Sequence, residues 1–231
     1  LSGGDRTLTA MTVNTQSTLA GGSNALTITG AADIDGAFTG ITNLSVSGTS
    51  NIGANVTTSG VQTYSGAVTV SAASTLSTTN SDVNLGSSLT LADNLTITTG
   101  AGAGDIVVTG SIDGAKALSL SAGTGAITLS GAVGQTTRLG ALTLNSSGTT
   151  TLAQSVKAAS VTSNADGTLR INGGSVDTTG VQTYGEAITL GADTTFTGTT
   201  INTQSTLAGG DNALTITGAA DIDGAFTGIT N

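Results

Sequence analysis

One small pattern recurs along this chain, an aliphatic residue, a Thr or Ser, and a second aliphatic. It appears as ALTIT (25–29), NLSVS (43–47), AVTVS (67–71), SLTLAD (88–93), NLTIT (94–98), ALSLS (117–121), AITLS (126–130), ALTLN (141–145), AITLG (187–191) and ALTIT (213–217). In extended backbone, neighbouring side chains point to opposite sides, so Leu26 and Ile28 face one way while Thr27 and Thr29 face the other. Each window is a strand with one apolar and one polar face, and none can bury its apolar face alone. Gly-containing breaks such as AGGSN, SGTSN, TGAGAGD, SAGTG, NSSG and NADG separate the windows and supply turn chemistry.

Taken one per turn, Leu26, Leu44, Val68, Leu95, Leu118, Leu142, Val161, Ile188 and Leu214 lie 18 to 27 residues apart. Internal repetition supports a unit of that size. NTQSTLAGGSNALTITGAADIDGAFTGITN (14–43) returns at 202–231 with Ser23 replaced by Asp211 as the only change, an offset of 188. Residues 1–13 align more loosely with 189–201 at the same offset, through Asp5/Asp193, Thr7/Thr195, Leu8/Phe196, Thr9/Thr197 and Val13/Ile201. GVQTYSGAVTV (60–70) is echoed by GVQTYGEAITL (180–190), an offset of 120. Dividing 188 by eight, 120 by five and their difference of 68 by three gives 23.5, 24 and 22.7, and with the strand spacing this points to a unit of about 20–24 residues with two or three short strands, the length of a solenoid coil.

The expected fold is therefore all-β, a parallel β-helix (β-solenoid) of about 20–24 residues per coil, with coils stacked so that each hides its neighbour's apolar side. Residues 1–231 read as one continuous segment, 14–201 as one 188-residue block and 202–231 as the start of the next, a piece of something longer. Two immunoglobulin-like sandwiches are the rival, but their thick interior needs aromatic filling. Here the aromatic residues are only Phe38, Tyr64, Tyr184, Phe196 and Phe226, with no Trp, Pro, Cys or His. The interior must be thin.

A hydrophobic fraction of 37% with 8% charged residues is the wrong balance for disorder. The net charge of −9, with Lys116, Lys157, Arg6, Arg138 and Arg170 scattered, excludes a phosphate-neutralising surface and hence nucleic acid as partner. No apolar stretch approaches membrane-spanning length, so membrane insertion is not expected.

TGSIDGAKALSLSAGTGAITLSGAVGQTTRLGALTLNSSG (109–148) and TTSGVQTYSGAVTVSAASTLSTT (57–79) resemble the repeat regions of large secreted bacterial adhesins. These are the filamentous-haemagglutinin-like proteins exported by two-partner secretion, and related autotransporter passengers. The resemblance, one of texture over most of the chain, implies a right-handed parallel β-helix displayed at or shed from the surface of a Gram-negative-type bacterium. No stretch of the chain resembles their amino-terminal secretion domain or an anchoring motif.

Several residues invite a chemical reading. Asp33 and Asp35 in ADIDGA, their copies Asp221 and Asp223, and Asp113 in SIDGA are the candidate carboxylates of a polysaccharide-cleaving groove. The plainer reading is an exposed strand running into an Asp-Gly turn, since no His exists and no cation is adjacent. With Asp105, the same carboxylates suit Ca²⁺, although only one imperfect match to a calcium-binding nonapeptide is present. Thr-x-Thr at 27–29, 96–98 and 215–217 matches an ice-binding pattern locally, but uneven coils are expected to break its lattice. Tyr64 and Tyr184 suit sugar stacking, against the plainer role of shielding a core corner with the hydroxyl in water. Sequons at Asn43, Asn55, Asn94 and Asn145 are expected by chance in so Ser/Thr-rich a chain.

The expectation is a non-enzymatic stalk with no catalytic, cofactor-binding or metal-binding residue, extracellular on a bacterial cell surface. It would hold a binding region towards a cell-surface or matrix component such as polysaccharide, in adhesion or biofilm formation. A self-assembling extracellular fibre or sheath, associating end to end or side by side, is the alternative. A polysaccharide-degrading β-helix enzyme is the third.

Overall fold

A computed structural model describes residue 1 and residues 3–230. The alternating windows lie directly above one another. Leu26 pairs with Leu44, Leu44 with Gln62 and Gln62 with Val83, and this first face continues through Ile106, Ile127, Thr150, Leu169, Ile188 and Leu207 to Phe226. A second face rises from Thr15 through Ile34, Ile52, Val70 and Leu91, then Ile112, Val133, Val156, Val176 and Phe196 to Ile216. The third links Leu19, Phe38, Val56, Leu76, Ile97, Leu120, Leu144, Ser163, Tyr184, Thr203 and Ile222.

All pairings are parallel and no helix occurs among the described residues, so the chain is a three-sided β-solenoid of about 11 turns. At a strand separation of ~4.8 Å, that stack rises roughly 50 Å. No helix of the described residues is long and apolar enough to cross a membrane.

In the tightest coils, Leu44, Ser50, Val56, Gln62 and Val68 open successive faces at intervals of six residues. Coil length then varies, from the 18 residues between Leu26 and Leu44 to the 24 between Leu118 and Leu142. Most of the extra residues enter at corners, as in the segment 99–105 between the strands Leu95–Thr98 and Ile106–Val108. The strands themselves stay in register. The expected 20–24 residues per coil thus holds as an average, but one correction is needed. The strands chosen as one per turn lie on different faces: Leu26, Leu44 and Ile188 on the first, Val68 and Leu214 on the second, Leu95, Leu118, Leu142 and Val161 on the third. Each turn holds three strands, within the two or three expected of a coil of this length, because each corner needs only a few residues.

Inward positions are aliphatic and almost wholly buried along the rod, and Phe38, Tyr64, Tyr184 and Phe196 join them inside. The rings of Tyr184 and Phe196 meet at 5.4 Å between centroids. At the two ends the inward side chains are only partly covered: Leu8, Val13 and Leu19 at one, Leu214, Ile216, Phe226 and Ile229 at the other.

Two backbone constraints explain the wording of the thirty-residue segment. Ser23 and Asp211, its only variable position, both sit in the left-handed region, at φ 61° and 64°. Such a φ costs most non-Gly residues roughly 1–2 kcal/mol, and Asp tolerates it better than Ser because its side chain bonds locally. Gly36 lies where two coils meet backbone to backbone. A Cβ there would stand 2.0 Å from the Ser17 carbonyl oxygen, while the Gly36 N–H donates to the Thr15 carbonyl at 2.7 Å. Gly36→Ala should therefore force two coils apart and lower the thermal midpoint by several degrees, measured by circular dichroism, whereas Ala37→Gly next to it should shift it far less.

Candidate functional site

Asx residues at the corners perform one recurring task. An Asn or Asp placed just before a strand accepts, through its side-chain oxygen, the N–H of a residue one coil further along. Asn43 accepts from Val61, Asn55 from Thr75 and Ala25 donates to Asp5, all at 2.8 Å. Asn94 takes the N–H of Ala117 and Asp193 that of Ala213, both at 2.9 Å. Asp105 is caught from both sides: its own N–H donates to Asp82 at 2.9 Å and its carboxylate accepts from Ala126 at 2.7 Å. These bonds carry the ladder around corners where backbone pairing lapses, and a charged acceptor strengthens them. Three of the four sequon asparagines are among these pins.

The proposed carboxylates fall into the same economy. Asp33 stands on the outer side of the second face between two asparagines in register, and accepts Asn14 Nδ2 at 2.7 Å and Asn51 Nδ2 at 2.8 Å. Asp221, its copy, accepts Asn202 Nδ2 at 3.2 Å. Asp35, exposed at the following corner, lies against Gly53 of the next coil, and Asp223 is exposed in the final coil. Asp113 accepts the N–H groups of Thr136 and Thr137 at 2.8 and 3.1 Å. Asp33 borders a shallow hollow of about 360 Å³ whose other walls include Thr12, Thr49, Asn51 and Thr69. No cation borders it, and the hollow brings no second carboxylate to face Asp33. Among the described residues no three Asp or Glu side chains converge on one point.

The three Thr-x-Thr windows are also kept apart, since Thr27 and Thr29 lie on the first face, Thr215 and Thr217 on the second and Thr96 and Thr98 on the third. They form no common plane. The tyrosines depart from expectation. Tyr64 and Tyr184 are fully buried and present no surface to a sugar, nor does either hydroxyl reach water. Each donates instead to the Oε1 of the Gln two residues before it, at 3.0 and 2.8 Å.

That glutamine is the residue that sequence reasoning missed. Gln62 Nε2 faces three acceptors: the Val56 carbonyl at 3.1 Å, Thr58 Oγ1 at 3.3 Å and, on the coil above, the Ser77 carbonyl at 2.8 Å. Gln182 repeats the arrangement with Val176, Thr178 and Thr197 at 3.0, 3.2 and 2.8 Å. A polar plug thus sits inside an aliphatic core, its amide paired on both sides and its Tyr neighbour satisfied through it. Burial pushes both phenols well above their ordinary range, so they stay neutral donors. Replacing Gln182 with Leu leaves the Tyr184 hydroxyl and two carbonyls without their partner, at a cost of roughly 2–4 kcal/mol. A fall in the urea midpoint for Gln182→Leu, larger than that for exposed Gln204→Leu, checks this.

Glu186 is the one buried carboxyl side chain among the described residues. It replaces Gly66 of the other GVQTY copy, is 1% exposed, and neither of its oxygens has a hydrogen-bond partner. Burial pushes its pKa from the ordinary 4.5 up to about 7, and the Ser163 hydroxyl, near it but outside hydrogen-bond geometry, pulls it partway back. The folded state therefore holds a proton that the unfolded chain releases at lower pH. Its contribution is at its best below about pH 4.5 and is lost as pH rises through about 7. Glu186→Gln should raise the melting midpoint at pH 8 and leave it nearly unchanged at pH 4.5; equal shifts at both values would contradict this.

One ion pair crosses two coils: Arg138 donates to Asp177 Oδ2 at 2.7 Å and to the Ala158 and Asp177 carbonyls at 3.1 and 2.6 Å. Arg138 lies in the corner that follows the isolated pairing of Val133 and leads into the strand Leu139–Ser146. No family model, no curated protein and no solved structure matches the chain.

Proposed function

We propose that this chain is a length of structural stalk, a non-enzymatic segment of a secreted bacterial surface adhesin of the filamentous-haemagglutinin or autotransporter type. In this role it holds a binding region away from the cell and supports adhesion or biofilm formation, with a cell-surface or matrix component such as polysaccharide as the partner of the whole protein. The observation that carries the reading is the duplicated segment itself. Its two copies pair with their neighbouring strands in the same register within the rod, so what the duplication adds is length. The polar side chains that look chemical in the sequence hold coil to coil: Asp33, Asp105 and Asp113 accept hydrogen bonds from neighbouring coils, and Gln62 and Gln182 bind inside the core. Bonds of this kind resist lateral shearing of coils and suit a load-bearing element.

The second reading is a self-assembling extracellular fibre or sheath, in which the repeat surfaces themselves make the contacts. Sedimentation velocity over a hundredfold dilution separates the two. The stalk reading expects an elongated monomer at every concentration, with no cleavage of polysaccharide; end-to-end filaments that grow with concentration would replace it with the fibre.

A further inference from the structure

The two copies of the thirty-residue segment are bonded alike but do not lie on the same face. Arg6 to Thr15 pair with Leu26 to Ile34 with one irregularity between Thr9 and Thr12, and Thr194 to Thr203 pair with Leu214 to Ile222 with the same irregularity between Thr197 and Thr200. Asn24 Nδ2 donates to the carbonyls of Gly21 and Gly22, as Asn212 Nδ2 does to those of Gly209 and Gly210. Yet Leu19 belongs to the third face and its copy Leu207 to the first, stacked on Ile188. Counted along the third face, Leu19 reaches Thr203 in nine steps, and Leu207 opens the next face. Leu26 on the first face likewise becomes Leu214 on the second, and Ala32 on the second becomes Ala220 on the third. The GVQTY motif behaves in the same way. From Gln62 to Gln182 is five turns along the first face to Leu169 and two faces more. Neither offset is a whole number of coils.

We infer that the repeats in this sequence are spaced by whole faces of the solenoid and not by whole coils, and that successive 188-residue blocks continue a single rod, each turned by one face, about a third of a revolution, relative to the last. The physical reason is that the three faces offer the same parallel ladder and inward aliphatic pair, so a segment that fits one face fits any other. A partner is thereby met from all sides. The Asn14–Asp33–Asn51 row lies on the second face, and its copy, Asn202 with Asp221, lies on the third. Over three blocks any surface a block carries is presented in three directions, and the rod has no preferred side for a ligand or for lateral sticking. The use made of this rotation rests on the stalk reading; the rotation does not.

The chain contains no Cys, so engineered pairs report neighbours directly. The stacked outward pairs Thr189→Cys/Ala208→Cys and Thr183→Cys/Asn202→Cys should form intramolecular disulfides on mild oxidation of the full chain. Their yield should equal that of the mid-rod pair Thr143→Cys/Thr162→Cys. Thr183→Cys/Ala208→Cys, which would be stacked if the copy had returned to the third face, should bridge at least tenfold less. Bridging of 183 with 208, or failure of both 189/208 and 183/202 while 143/162 closes, overturns the rotation. Filament formation in sedimentation would remove the stalk reading and leave this outcome untouched.

Discussion

Every feature of this molecule depends on the parallel ladder between coils. Each strand hydrogen-bonds to one below and one above, and that ladder sets a fixed rise and forces equivalent positions into columns. An aliphatic pair such as Leu44 and Val46 is buried because Leu26 and Ile28 lie under it and Gln62 and Tyr64 lie over it. The interior is then as narrow as one or two side chains, which is why Leu, Ile and Val suffice and why four aromatic rings fill it locally.

The ladder tolerates variable coil length because strands and corners divide the work. Strands keep register; corners take up insertions, from the six-residue spacing around Val56 to the long excursion before Leu139. At corners the backbone groups lose their strand partners, and the side chains of Asn43, Asp105, Asn94 and Asp193 replace them. Polar groups cluster there for a structural reason. The acidic balance of the chain follows in part, since Asp is one of the two side chains that can both accept such a bond and sit at a turn.

Polar residues inside the core carry a different cost. Gln62 and Gln182 are each bonded to Tyr, Thr and carbonyl groups, so the plug is satisfied and fixes how two coils mate. Glu186, at the position where the other copy has Gly66, is buried without a hydrogen-bond partner and costs stability once it ionises. The contrast between the two copies shows how a repeat diverges: the bonded residues are kept and the unbonded position changes, as also at Ser23 and Asp211.

Much of this architecture was legible in the residues. Alternation in windows such as NLTIT marked strands, the lack of aromatic bulk marked a thin interior, and near-repeats marked stacking. The carboxylates and tyrosines were less legible, because an Asp before an aliphatic reads the same whether it pins a corner or waits for a ligand, and a lone Tyr does not announce its glutamine. The cue for the pins was present, Asn or Asp immediately ahead of an aliphatic-x-aliphatic strand, but which N–H it meets lies a coil away. The sequence by itself determined that strands must stack in coils, since one-sided strands have no other place to hide their apolar face. Only the tertiary structure decided how many strands make a turn, which face each copy of the repeat occupies, and which polar groups are buried, because these depend on where corners fall, and corner length is not encoded in any single strand.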